Sequence, residues 1–142
     1  MDVIRRNTDY AIRAMILVGQ ADEGVPVSTR KISDKADIPY QLACKVMQRL
    51  HGAGLVKSKM GPTGGFMLKK DLTSINLHDI VEAVQGAVSM NKCIGEVHFC
   101  RHRPHCSVAG RMEELQLHIK EFLEDVSLED LVRDCSFRDN CC

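Results

Sequence analysis

"STRKISDKADIPYQLACKVMQRLHGAGLVKSKMGPTGGFMLKK", residues 28–70, holds two short helices and a hairpin in close succession. Ser28 or Thr29 caps a short helix that turns Ile32 and Ala36 inward. A turn at Ile38-Pro39 opens a second helix, with Pro near its first turn and Gly52 and Gly54 punctuating its end. Helical spacing puts Ala43, Val46, Met47 and Leu50 on one face of this helix and Gln41, Cys44, Lys45 and Gln48 on the other. Two short helices joined by a tight turn form a helix-turn-helix. Leu55-Val56 and Phe66-Leu68 then read as strands around "GPTGG", where Pro62 presets a turn and Gly64-Gly65 permit positive φ. A helix-turn-helix followed by a basic β-hairpin is a winged helix.

The flanking segments agree with a mainly α protein. Upstream, "NTDYAIRAMILVGQA" has a possible cap at Asn7 or Thr8, then apolar residues at helical spacing from Tyr10 to Val18. Downstream, "INLHDIVEAVQG" places Leu77, Ile80, Val81 and Val84 on one side of a helix that Gly86 stops. After a cysteine-rich segment, Val108, Met112, Leu115, Ile119, Phe122, Leu123 and Val126 form one apolar stripe on a long helix. Such a helix at the edge of a small domain predicts a partner helix, hence a homodimer. "SLEDLVRD" reads as a short capped helix and "CSFRDNCC" as a loose tail. The expected organisation is a winged helix-turn-helix domain over 1–86, a cysteine-containing loop over 87–107, a dimerisation helix and short C-terminal helix over 108–134, and a flexible tail over 135–142.

Composition narrows the function. At 142 residues and 44% apolar, the chain can fill one core, and with no Trp that core rests on aliphatic side chains and Met. The opening apolar run is short and follows Asp9 and Arg13, too charged for a signal peptide or a membrane span. A cytoplasmic protein is expected, in which clustered cysteines imply metal or redox chemistry rather than disulfides. The total of seven cysteines is odd, which also disfavours a purely disulfide reading. Net charge is zero, yet residues 28–70 carry nine Lys/Arg against two acids and residues 71–142 carry seven against thirteen. A basic block in a neutral chain offers a place for a polyanion, most simply duplex DNA.

In "CIGEVHFCRHRPHC", residues 93–106, Cys93, Cys100 and Cys106 are separated by six and five residues. A tetrahedral zinc site usually draws on tight Cys-x₂₋₄-Cys pairs, and these are absent here. Longer gaps let a loop wrap a larger object such as an iron–sulfur cluster. Zinc and a thiol switch remain open on spacing alone. A Cys–His nucleophile is disfavoured because no oxyanion-hole motif accompanies it, so no enzyme is expected. His98, His102 and His105 stand near enough in sequence to complete a cluster.

Taken together, "TDYAIRAMILVG", "IPYQLACKVMQRLHGAGLVKS", "GPTGGF" and "INLHDIVEAVQG" resemble, in order and over nearly the whole chain, the winged-helix iron–sulfur transcriptional regulators typified by IscR and NsrR. The resemblance implies a homodimeric DNA-binding regulator, a repressor, controlled by a 4Fe-4S or 2Fe-2S cluster that senses nitric oxide, redox state or iron–sulfur supply. It implies Cys93, Cys100 and Cys106 as cluster ligands, with Asp9 in "NTDYA" as an oxygen ligand from the other subunit. The residues differ from the family pattern at three places. Met60 stands where an Arg commonly precedes the wing's Gly-Pro, Cys44 where a Glu often projects from the recognition helix, and Ala109 where IscR-type members carry a His. Two recognition helices would enter successive major grooves of a pseudo-palindrome, with Gln41, Lys45 and Gln48 toward base edges and Cys44 on the same face. Thr29, Arg30, Arg49, Lys57 and Lys59 would meet phosphate, and Pro62-Thr63 at the wing tip the minor groove. The competing readings are a cluster-free thiol regulator and an iron–sulfur electron-transfer or storage protein.

Overall fold

The computed structural model describes residues 3–90, 94 and 100–135. Helices α1 (Arg6–Gly19), α2 (Thr29–Ala36) and α3 (Tyr40–Gly52) lead into an antiparallel hairpin of β1 (Val56–Lys59) and β2 (Gly65–Leu68). Helices α4 (Leu77–Gln85), α5 (Ser107–Asp125) and α6 (Leu128–Asp134) follow, with 3-10 turns at Leu72–Ser74 and Arg103–His105. The expected winged helix is present. Among the described residues no helix is long and apolar enough to cross a membrane.

The helix-turn-helix is held at its turn by short-range bonds. Ser28 Oγ accepts the Lys31 N–H at 3.2 Å and so caps α2. Asp37 takes a left-handed conformation at φ 52° to end it. Ile38 N–H then donates to the Ser33 carbonyl at 3.0 Å, and Ser33 Oγ returns a bond to the Ile38 carbonyl at 2.6 Å. With Ile38 itself buried, the turn is fixed on both its polar and its apolar side. Helix α3 leaves from Pro39 and buries Ala43, Val46, Met47 and Leu50 against α1, as its periodicity requires.

Hairpin register pairs Val56 with Leu68 and Lys59 with Gly65. Val27 adds a third partner that periodicity did not reveal, exchanging both backbone bonds with Phe66 at 2.9 Å. The glycines of the turn meet the sequence expectation in part. Gly65, at φ 158°, has the expected positive φ and Gly64 does not; Gly61, at φ 108°, adds a second. Gly64 and Gly65 are required by close approach, because a Cβ on either would run into the Lys59 or Val27 carbonyl.

Helix α1 starts one residue before Asn7, and neither Asn7 nor Thr8 caps it. A distant residue supplies the cap instead: Gln85 Oε1 accepts the Arg5 N–H at 3.1 Å and the buried Thr8 hydroxyl at 2.7 Å. Gln85 sits at the end of α4, which begins with a reciprocal Asn76–Asp79 capping box and stops at Gly86, φ 79°.

The C-terminal elements close back on this core. Leu77 N–H bonds the Val126 carbonyl at 2.8 Å, and Leu128 N–H the Ile75 carbonyl at 2.7 Å. Leu128 is fully buried in the main core, with Leu131 and Val132 packed beside it. Gly19 makes room for this docking, since a Cβ there would stand 2.9 Å from both Leu72 and Val132. Cys135, expected to begin the tail, packs on the same core, and its carbonyl accepts Gln20 Nε2 at 2.6 Å. The rest of the tail lies outside the described residues.

The apolar stripe of α5 divides in two. Leu123 and Ile119 pack on α4 with Val81, Val88 and Leu77, while Val108, Leu115 and Phe122 face outward. Phe122 is 66% exposed, a large apolar side chain in water.

Candidate nucleic-acid interface and cysteine centre

Burial of one face of α3 necessarily presents the other. Gln41, Lys45 and Gln48 are exposed, and Cys44 is half-buried at their edge. Lys57 and Lys59, two residues apart on β1, point to the same side of the hairpin and are exposed. His51 at the end of α3 meets the Phe66 ring edge-on, centroids 6.5 Å apart, so the wing is packed on the recognition helix. Met60, Pro62 and Thr63 form an exposed wing tip; Met60, in place of the expected Arg, is 90% exposed and brings no charge.

Thr29 and Arg30 lie at the start of α2, with Arg30 exposed. The Arg30 guanidinium lies over the ring of Tyr40, Cζ 4.9 Å from its centroid. The sequence reading passed over Tyr40. Its signal was available: a large aromatic at the first position of a helix whose inward face was already filled by Ala43, Val46, Met47 and Leu50. Arg49 is also more constrained than a free phosphate-contacting side chain. Its Nη1 donates to the Val84 carbonyl at 2.5 Å, joining α3 to the last turn of α4.

Beyond α4 the chain is clamped by Gln116 of α5, which accepts the Met90 N–H at 2.8 Å and donates to the Val88 carbonyl. Cys100 and Cys106 flank the Arg103–His105 turn, both partly exposed and neither in a disulfide. The Cys100 carbonyl accepts the Arg103 N–H at 3.2 Å, and Cys106 is the N-cap residue of α5. An ion pair of Arg103 with Glu113 at 2.8 Å fastens this turn to the helix. His102 and His105 are exposed, and Ala109 offers no side-chain ligand. Cys93 and His98 lie outside the described residues. Among the described residues no three His, Cys, Asp or Glu side chains converge on one point.

Asp9 projects from the first turn of α1, half-exposed, with Oδ2 held 2.7 Å from Arg13 Nη2. Oδ1 makes no hydrogen bond among the described residues, so the carboxylate retains a free donor atom. Accessible thiols on a turn are donors of the kind that hold an iron–sulfur cluster.

The fold and the sequence both have known relatives. The family model described as "Rrf2: Iron-dependent Transcriptional regulator" matches residues 4–134. The HTH-type transcriptional regulator IscR of Escherichia coli K12 is 31% identical over 125 residues, spanning 88% of this chain and 76% of that protein. Among solved structures, CymR (YrzC), titled the global cysteine regulator of B. subtilis, superposes with TM-score 0.77 at 23% identity, covering 96% of this chain and all of that one. T. potens IscR superposes with TM-score 0.76 at 22% identity, covering 98% and 92%.

Proposed function

Because the chain belongs to the Rrf2 family of transcriptional regulators, we propose that it is a homodimeric repressor whose operator binding is set by an iron–sulfur cluster. As a transcriptional regulator it binds DNA and is not an enzyme. Cys93, Cys100 and Cys106 would hold the cluster, with Asp9 of the second copy in the remaining position. When bound, the cluster supplies a centre whose gain, loss or reaction is the signal.

The protein's own residues do the rest. Gln41, Lys45 and Gln48 face base edges, with Cys44 beside them, while Thr29, Arg30, Lys57 and Lys59 neutralise phosphates and Pro62-Thr63 enter the minor groove. Arg49 holds α3 against α4 through the Val84 carbonyl. The outward half of the α5 stripe pairs with its counterpart in the second copy. Val108, Met112, Leu115 and Phe122 recur at steps of four, three and seven, the spacing of a helix–helix seam.

One observation carries the proposal. Accessible, disulfide-free Cys100 and Cys106 end a segment that leaves α4 directly after the two residues bonded to α1 and α3. A change in that segment therefore acts on helices that position the DNA-facing side chains. Coupling of ~1–3 kcal/mol would alter operator affinity about 5- to 150-fold.

Anaerobic purification with an absorption spectrum and iron and sulfide counts tests the proposal. The wild type is expected to be brown; Ala at Cys93, Cys100 or Cys106 abolishes the colour, and joint replacement of Cys135, Cys141 and Cys142 leaves it. A colourless protein holding stoichiometric zinc would overturn it. The second reading, a cluster-free thiol regulator, is favoured by Cys44 on the DNA-facing helix. It predicts a colourless protein, free of iron and of stoichiometric zinc, whose DNA affinity changes on oxidation and no longer does in Cys44→Ser.

A further inference from the structure

We infer that Tyr40 positions Arg30 for the DNA backbone, so that the two side chains act as one phosphate-contacting unit across the helix-turn-helix. The inference rests on the DNA-binding reading and on three observations. First, the Arg30 guanidinium lies 4.9 Å from the Tyr40 ring centroid, within the range of a cation–π contact. Second, Asp34 lies four residues along α2, a spacing at which opposite charges commonly pair, yet among the described residues Arg30 makes no ion pair. The guanidinium is on the aromatic ring and its charge stays uncancelled by a carboxylate. Third, Tyr40 is 42% exposed at the first position of α3, on a helix whose inward face is filled without it.

The chemistry follows from the guanidinium's shape. Stacking uses its flat face and leaves the N–H edges free, and those edges match two oxygens of one phosphate. An unrestrained Arg must lose rotamer freedom when it reaches DNA, whereas one already resting on a ring has lost much of it. The turn that brings α2 and α3 together is itself fixed by the Ser33–Ile38 bonds, so ring and guanidinium are carried by a rigid unit. Tyr40 is therefore a positioning residue that works through Arg30.

The test uses the full chain and a duplex obtained by in vitro selection with the wild-type protein, read by fluorescence anisotropy across salt concentrations. Tyr40→Phe keeps the ring and is expected to keep the affinity. Tyr40→Met and Tyr40→Leu remove the ring and should weaken binding about 2- to 10-fold, the cost of immobilising one rotamer-rich side chain on DNA expressed as affinity. Arg30→Ala should weaken binding and reduce the salt slope by about 0.9, one phosphate contact. In the Arg30→Ala background, Tyr40→Met should cost nothing further. Denaturation curves of Tyr40→Met and Tyr40→Phe should differ by no more than one exposed cation–π contact, with both variants fully folded under the binding conditions, which separates positioning from folding. Equal weakening by Tyr40→Met with and without Arg30, wild-type affinity in Tyr40→Met, or wild-type affinity in Arg30→Ala would each overturn the inference. A wild-type protein that selects no duplex would instead overturn the DNA reading beneath it.

Discussion

Arg49 of the recognition helix donates a 2.5 Å hydrogen bond to the carbonyl of Val84, the second-last residue of α4. The next residue, Gln85, caps α1 through Arg5 and Thr8. Three helices thus meet within two residues of the point where the cysteine segment departs. Arg49→Ala should lower fold stability by about 1 kcal/mol, the net size of a partly exposed hydrogen bond. It should leave the slope of log affinity against log salt nearly unchanged, whereas Lys45→Ala or Lys57→Ala should lower affinity and any phosphate lost should reduce the slope by about 0.9. Chemical denaturation and salt titrations on the same preparations check both halves.

Among the described residues Asp9 keeps one carboxylate oxygen without a hydrogen bond while Arg13 holds the other. Asp9→Ala should therefore cost the apo fold no more than about 0.5 kcal/mol, as exposed i,i+4 ion pairs do. Under anaerobic conditions the variant should still assemble a chromophore, with an altered spectrum and faster loss. Dimers mixed from one subunit lacking Asp9 and one lacking Cys93, Cys100 and Cys106 decide the geometry. Retention of a wild-type spectrum at half occupancy is expected if the carboxylate crosses between copies.

The outward residues of α5 supply the third prediction. Val108, Leu115 and Phe122 are 56%, 42% and 66% exposed in the single chain. Leu115→Glu and Phe122→Glu should shift sedimentation toward a monomer while leaving the helical circular dichroism intact, because neither side chain is in the core. DNA affinity should fall with the dimer, since two half-sites can no longer be held at once.

Leu128 is fully buried although it lies beyond the long helix. Leu128→Ala should destabilise the fold by about 2–5 kcal/mol, the range for a truncated core leucine. Thermal or urea unfolding should show it as a loss in the whole cooperative transition, because α6 packs in the same core as α1.

The cap of α6 adds a pH dependence. Hydrogen bonds from the Ser127 hydroxyl and Ser127 N–H, helped by the nearby charge of Arg133, hold the Asp130 carboxyl below its ordinary value of 3.8. A depressed folded-state value means the contribution is complete above 3.8 and is lost as pH falls through the lower folded value. Asp130→Asn should be less stable than wild type at neutral pH, and the difference should close in acid. Parallel melting curves over that range measure it.

The winged helix is legible in the order and spacing of the residues. Helical periodicity separates Ala43, Val46, Met47 and Leu50 from Gln41, Lys45 and Gln48, and any burial of the first set must expose the second. Ser28 and Gly86 likewise mark their helix ends through local bonds and local backbone freedom, which nearby residues suffice to specify. The family motifs were equally legible, because they are residues in order.

What the tertiary structure decided depends on groups far apart in the chain. Thr8 looked like a helix cap until Gln85, 77 residues away, took its hydroxyl. Gly64 looked like a residue chosen for its φ, but its φ is not positive and the constraint is the Lys59 carbonyl facing it. The α5 stripe has one periodicity, yet α4 can cover only one side of a helix, so Leu123 is buried and Phe122 is not. Tyr40 became a partner of Arg30, and Arg49 a partner of Val84, only once the turn and the core had set the distances between helices. Periodicity reports which face of an element is apolar; which neighbour arrives at that face is settled by packing.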